Sequence, residues 1–338
     1  MLRLLARPLF RVVPDDTRIP FMRGRFLGLL VSAVLSTLSV ALALYPGLER
    51  GIDFKGGIVM EVRTPGPADI AALRGAVSGL DLGDVGVQRF GADDTVLLRL
   101  PAQDEEAATQ TAVARVRASV EATAPGTRVL RTEAVGNRVS DELFRGGLIA
   151  LAISLGAMLI YIWVRFEWQF AVGAVATLVL DTTKVVGFLA VTRIEFSLTT
   201  VAAILTVIGF SANDKVVVYD RMRENLRKYK TMPLRELVDR SINETLNRTV
   251  GTTMTLVLSA VPLALFGGDA LSGFAWTLLF GMVVSTSSSI FIAAPILLFL
   301  GEHRLRRGTD EAAAAKPAAA SSSPATGRGG APTARQSL

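Results

Sequence analysis

Apolar residues crowd into six stretches of the chain, at 26–45, 147–164, 170–191, 197–219, 249–266 and 273–300. Each is close to the ~20 residues of helix that cross about 30 Å of hydrocarbon, so the pattern predicts six transmembrane helices, the last long enough to tilt or overhang. Between the first two stretches the periodicity changes. A strand at 58–63 precedes a helix over 68–80, which carries Ile70, Leu73, Val77 and Leu80 on one face. Strands follow at 85–90 and 95–100 around a turn at 91–94, a helix opens at Asp104 with Glu105 and Glu106 favourably placed against its dipole, and a strand at 127–134 closes the set. The order β-α-β-β-α-β predicts one ferredoxin-like α+β external domain attached to an all-α, six-helix polytopic membrane protein.

Charge orients this arrangement. The arm before the first stretch holds six arginines (Arg3, Arg7, Arg11, Arg18, Arg23, Arg25), residues 221–240 hold seven basic residues, and the tail after Leu300 holds six. The short loops on the opposite side hold only Arg193, so the positive-inside rule places both termini in the cytoplasm and the long 46–146 segment outside. The chain divides into a cytoplasmic arm (1–25), a first span (26–45), an external domain (46–146), a five-helix region (147–300) with a cytoplasmic loop at 220–248, and a tail (301–338). The tail is rich in Ala, Ser, Pro and Gly, a composition that favours disorder. The first apolar stretch has a basic flank but no clear cleavage site, and reads as a retained anchor.

The net charge of +6 follows the positive-inside pattern and comes without an aromatic-basic platform, which argues against nucleic-acid binding. With no cysteine there are no disulfides or thiolate metal sites. The single histidine, His303, lies beyond the sixth stretch, and neither a metal nor a cofactor is expected. The external domain shows no catalytic constellation. Its one notable segment is Gly51-Ile52-Asp53-Phe54-Lys55-Gly56-Gly57, where glycines flank a lone acid in what reads equally well as a turn into the first strand.

Candidate chemistry lies inside the apolar stretches. Asp214 interrupts 197–219, where an acid near the bilayer centre costs about 2.5 to 3.5 kcal/mol and usually faces a bundle interior or a water path. Arg248 opens the fifth stretch. It lies eight residues after Arg240 and Asp214 seven before Arg221, which gives the two similar depths on antiparallel helices and predicts an ion pair. Arg248, Thr252, Thr255 and Ser259 fall on one stripe, the alternative being a snorkelling arginine and hydroxyls bonded to their own helix. Asp181 shares a face with Thr177 and Lys184, either as part of a proton path or as a structural pair with Lys184. Lys215 is expected to snorkel, and the hydroxyl run 285–289 to serve helix packing.

Taken together, GIDFKGG, AAILTVIGFSANDKVVVYDRMREN, INETLNRTVGTTMT and STSSSIFIAAP resemble the SecD/SecF family of bacterial protein-export membrane subunits over roughly 18–300. The resemblance implies an RND-like subunit of the cell inner membrane that uses the proton-motive force, together with SecD, to promote late stages of preprotein export. It also implies the SecYEG channel, an accessory YajC-type subunit, translocating preproteins and membrane lipids as partners. It places Asp214, Asn213 and Arg248 in the proton path, with Asp181 a further candidate, and makes Gly51, Asp53, Gly56 and Gly57 the motif outside the first span. The chain departs from the family at Phe210, Leu180, Ser287 and Lys215. Leu180 removes a histidine beside Asp181, and Lys215 puts a cation beside Asp214. An RND-type exporter half and a passive translocon scaffold are the alternatives.

Overall fold

The computed structural model describes Pro14 and residues 17–83, 85–103, 106–166 and 168–299. The arginines at 3, 7 and 11, the start of the helix expected at Asp104, the tail and His303 lie outside the described residues.

Among the described residues, six helices are long and apolar enough to span a membrane. The first is Arg25–Leu42, the second Asn137–Arg165, the third Trp168–Thr192, the fourth Leu198–Lys228 and the fifth Leu234–Phe266. The sixth comprises Gly268–Ser288 and Ala294–Phe299, joined by a π-helical turn at Ser289–Ala293. Within their most apolar windows the third, fourth and sixth spans are 50, 56 and 61% buried, against 17, 11 and 17% for the first, second and fifth. The third, fourth and sixth therefore form the centre, and the others keep apolar surface for lipid or a partner.

The stretch 220–248, expected as a loop, is almost entirely helical, with only 229–233 between the fourth and fifth spans. Polar side chains do not prevent helix formation outside the hydrocarbon, and here they bind the two extensions together. Glu244 accepts from Arg221 Nε at 2.7 Å, Asn225 Nδ2 at 2.8 Å and Arg240 Nε at 2.9 Å, while Asn225 also donates to Ser241 Oγ at 2.9 Å. The start of the first span docks on this pair, with Met22 N donating to Asp239 Oδ1 at 2.8 Å.

Four antiparallel strands, β1 (Gly57–Arg63), β2 (Gly86–Phe90), β3 (Ala92–Leu100) and β4 (Arg128–Val135), form one sheet in the order β2-β3-β1-β4. Alternation sends Ile58, Met60 and Val62 to the face covered by the helices Ile70–Ser78 and Glu106–Thr123, where they meet Leu73, Val77 and Val116 in one core. Val59 and Glu61 go to the opposite, open face. This is the ferredoxin-like order the periodicity predicts. The turn is tighter than expected: Gly91, at φ 67°, lets β3 begin at Ala92, so Asp93 and Asp94 lie in the strand.

Small residues let the spans approach closely. Ser32, Ser36 and Ser39 form the buried stripe of the first span, and a Cβ on Gly187 of the third would lie 2.8 Å from the Ser39 Cα. Because the obstacle is backbone, Gly187→Val is expected to force these helices apart and lower stability by about 1 to 3 kcal/mol. A lower melting temperature in detergent, with Gly146→Val as the open-space control, would show this.

Candidate functional site

A capping box starts the fourth span: Ser197 N donates to Thr200 Oγ1 at 2.8 Å and Thr200 N to Ser197 Oγ at 3.4 Å. From there the 3.6-residue period carries Val201, Ile204, Val207, Ile208 and Ser211 into the bundle. Asp214 and Lys215 both fall on the buried side, at 4 and 0% exposure, whereas Asn213 is exposed.

Lys215 does not snorkel. Its Nζ donates to Asp181 Oδ2 of the third span at 3.0 Å and to Ser211 Oγ at 2.5 Å. Asp181 Oδ2 also accepts from Ser211 Oγ at 2.9 Å and from Ser288 Oγ of the sixth span at 2.6 Å. The Lys184 ammonium stands 3.8 Å from Asp181 Oδ1, so the expected pair within the third helix exists but is secondary to Lys215. A lysine this deep cannot reach the interface while a carboxylate from the neighbouring helix holds it, and leaving that acid would strand both charges in a low dielectric. The hydroxyl run 285–289 supplies a ligand to Asp181 as well as close packing.

Asp214 has a different environment. It lies beside the hydroxyls of Ser289 and Thr249, with Lys215 and Arg248 within electrostatic reach, yet its Oδ2 is buried without a hydrogen bond, as is Thr249 Oγ1. No ion pair joins Asp214 to Arg248 among the described residues, and Arg248 is exposed. Equal depth fixes height along a helix but not direction around it. One residue is a turn of about 100°, and the fifth span points Thr249, 3% exposed, into the bundle and Arg248 out of it. Thr252, Thr255 and Ser259 follow Arg248 onto the exposed face, each hydroxyl bonded to a carbonyl of its own helix.

The cluster Asp181, Asp214, Lys184 and Lys215 contains two acids and two ammonium groups, so its charges balance when both acids are ionised. Protonation of either acid breaks that balance. Asp181 gathers three donors on Oδ2, while its Oδ1, like Asp214 Oδ2, is buried without a hydrogen bond.

The segment expected as a turn outside the first span contains a short helix, Ile52–Lys55. Its Asp53 Oδ2 accepts from Leu198 N at 2.9 Å, at the start of the fourth span. Gly51 N donates to Phe196 O at 3.0 Å. Gly56 and Gly57 adopt positive φ of 71° and 133°, and a Cβ on Gly57 would meet Leu100 O at 2.6 Å. In the sheet, burial pushes the Arg99 guanidinium below the usual arginine range, an effect that Glu49 opposes.

Sequence reasoning missed the Lys215–Asp181 pair, the Ser288 ligand, the Asn225–Glu244 clamp and the Asp53 cap. Only the first had a signal: Ser211 and Lys215 are four residues apart, on the same face of the fourth helix.

Comparison with known proteins gives this arrangement a family. The model of protein export membrane protein SecD/SecF, C-terminal, matches residues 115–303. The protein translocase subunit SecF of Cereibacter sphaeroides is 42% identical over 301 residues, which cover 87% of this chain and 93% of that protein. The SecF subunit of Rhodobacter capsulatus is 41% identical over 313 residues, 89% of this chain and 94% of its own. Among solved structures, SecDF from Thermus thermophilus, described as a translocon-associated membrane protein, superposes with a TM-score of 0.77 at 31% identity. SecDF in a super-membrane-facing form gives 0.64 at 30%. The chain covers 41% of the length of each SecDF chain. It is a multi-pass membrane protein of the SecD/SecF family. Within that family it groups with the SecF subunits of protein translocase.

Proposed function

We propose that this chain, together with a SecD-like half, uses the proton-motive force to promote late stages of preprotein export. In this reading it resides in the bacterial inner membrane with both termini cytoplasmic and its sheet domain on the far side. The SecYEG channel, a YajC-type subunit and translocating preproteins are its further partners. Asp214 is the proton carrier, and Arg248 and Asn213 belong to the path to it.

The observation that carries this reading is Asp214 itself, 4% exposed within the fourth span, beside the hydroxyls of Ser289 and Thr249 and with Lys215 within electrostatic reach. Those hydroxyls can donate to the ionised acid or accept from the neutral one, so the pocket accommodates both forms. Ionised together with Asp181, Asp214 balances the two lysines. A site that suits both forms suits a carrier. Asp181, with Lys215 and two hydroxyls on Oδ2 and Lys184 3.8 Å from Oδ1, is better suited to holding Lys215 in place than to passing protons. It enters the path only if Lys215 moves away.

The exposed polar faces support an incomplete site. Asn213 on the fourth span and Arg248 on the fifth are costly to present to lipid. A second half packed there would cover them, in keeping with the chain's matching about two fifths of SecDF. The same argument disfavours an exporter half working alone.

Export measured in cells with and without an uncoupler tests the reading. Arg248→Ala is expected to remove most of the uncoupler-sensitive component and spare the remainder. A passive scaffold predicts that the variant keeps normal uncoupler sensitivity.

A further inference from the structure

The proton site and the sheet domain are joined by a set of contacts that proton transfer itself does not use. Leu198, whose N–H is capped by Asp53 at 2.9 Å, forms the first turn of the helix that carries Asp214. On the preceding loop, Phe196 N donates to Glu49 O at 2.7 Å while Gly51 N donates back to Phe196 O at 3.0 Å. Phe54 packs on Phe196 and on Phe144 of the second span, with ring centroids 5.1 and 5.5 Å apart. Farther out, Arg193 pairs with Glu49 at 3.4 Å, and Arg99 of β3 pairs with Glu195.

The geometry on the other side of Asp53 is equally tight. The helix Ile52–Lys55 passes into β1 through Gly56 alone, and a Cβ there would lie 2.7 Å from Asn137 Oδ1 at the start of the second span. Only one residue therefore lies between the helix that caps the fourth span and β1, and it packs against the second span. The sheet has room to respond. A cleft of about 790 Å³ separates its open face, lined by Val59, Glu61, Leu97 and Arg99, from the loops around Glu195 and Gly268. The Arg99–Glu195 pair bridges the two walls.

We infer that Asp53, with the Arg99–Glu195 pair, forms the joint through which movement of the Asp214 helix drives the sheet domain. This rests on the proton-driven reading above and specifies how that reading reaches the export substrate. Packed interfaces respond to small displacements by switching between discrete arrangements, and the cap and the ion pair are the polar contacts that such a switch would carry across.

The test uses the chain co-purified with its SecD-like partner and the channel, in vesicles where proton entry and preprotein movement are read together. Asp53→Ala is expected to leave proton entry near the parent rate while proton-driven preprotein movement falls about tenfold, within the usual range of coupling between sites. Asp53→Asn retains an acceptor for Leu198 N and is expected to restore movement. Glu195→Ala leaves the helix cap intact and removes only the outer pair, so it is expected to uncouple even if Asp53→Ala folds poorly. Asp214→Asn in the same vesicles addresses the underlying reading separately: proton entry that survives it overturns that reading. The joint is overturned if proton entry and preprotein movement fall in parallel in Glu195→Ala and Asp53→Ala, or if neither variant changes movement.

Discussion

Asp181→Leu is expected to destabilise the chain by about 3 to 5 kcal/mol, because it leaves buried ammonium charge without its carboxylate. Lys215 has no exposed surface and Lys184 only 7%, so neither can recover hydration without rearranging the bundle. The loss is structural as well as electrostatic, since Asp181 gathers donors from the fourth and sixth spans onto the third. Thermal unfolding in mild detergent should show a large drop in melting temperature and poor recovery of folded protein. Adding Lys215→Met removes the fully buried cation and fills its volume with an apolar chain, and replacing a buried pair in this way is often neutral. The double variant is therefore expected to recover most of the lost stability. A single variant as stable as the parent would mean that the network does not hold the three helices together.

Much of this architecture is legible in the sequence because its causes are local and periodic. Apolar length marks the six spans, and alternation with period 2 marks β1 as clearly as the 3.6 period marks the helix that carries Leu73 and Val77. The burial of Asp214 follows from its place in an apolar stretch. The partners are less legible, because they depend on rotation about helix axes and on contacts between distant segments. Depth matching brings Arg248 level with Asp214, but a rotation of one residue gives the inward position to Thr249. The same ambiguity hides Lys215, which is adjacent to Asp214 in sequence yet bonded to Asp181 across 34 positions of chain. Asp53 likewise reads as a turn acid until folding places it 145 positions away, at the start of the fourth span. The helical continuation through 220–248 was obscured by its charge, which signals the end of the hydrocarbon rather than the end of the helix.

Asp214→Asn is expected to give the opposite outcome to Asp181→Leu. Asparagine is nearly isosteric and neutral, and Asp214 already has an unbonded oxygen, so folding and assembly with a SecD-like half should be retained. What should disappear is the response to the proton gradient. Each proton crossing 100 mV contributes about 2.3 kcal/mol, and a side chain that cannot ionise has no means of taking it up. Within this cluster Asp214 combines burial with two hydroxyl neighbours, while Lys215 is bonded to Asp181 rather than to it.

The most direct measurement reconstitutes the parent and Asp214→Asn complexes, matched for SecD-like partner content, into vesicles with the channel and an imposed proton gradient. Proton entry is followed with an internal pH dye, and preprotein arrival by protease protection. Proton-carrying Asp214 predicts that the variant shows neither gradient-driven proton entry nor gradient-stimulated export, while gradient-independent export persists. An assembled variant that still admits protons and responds fully to the gradient would contradict it.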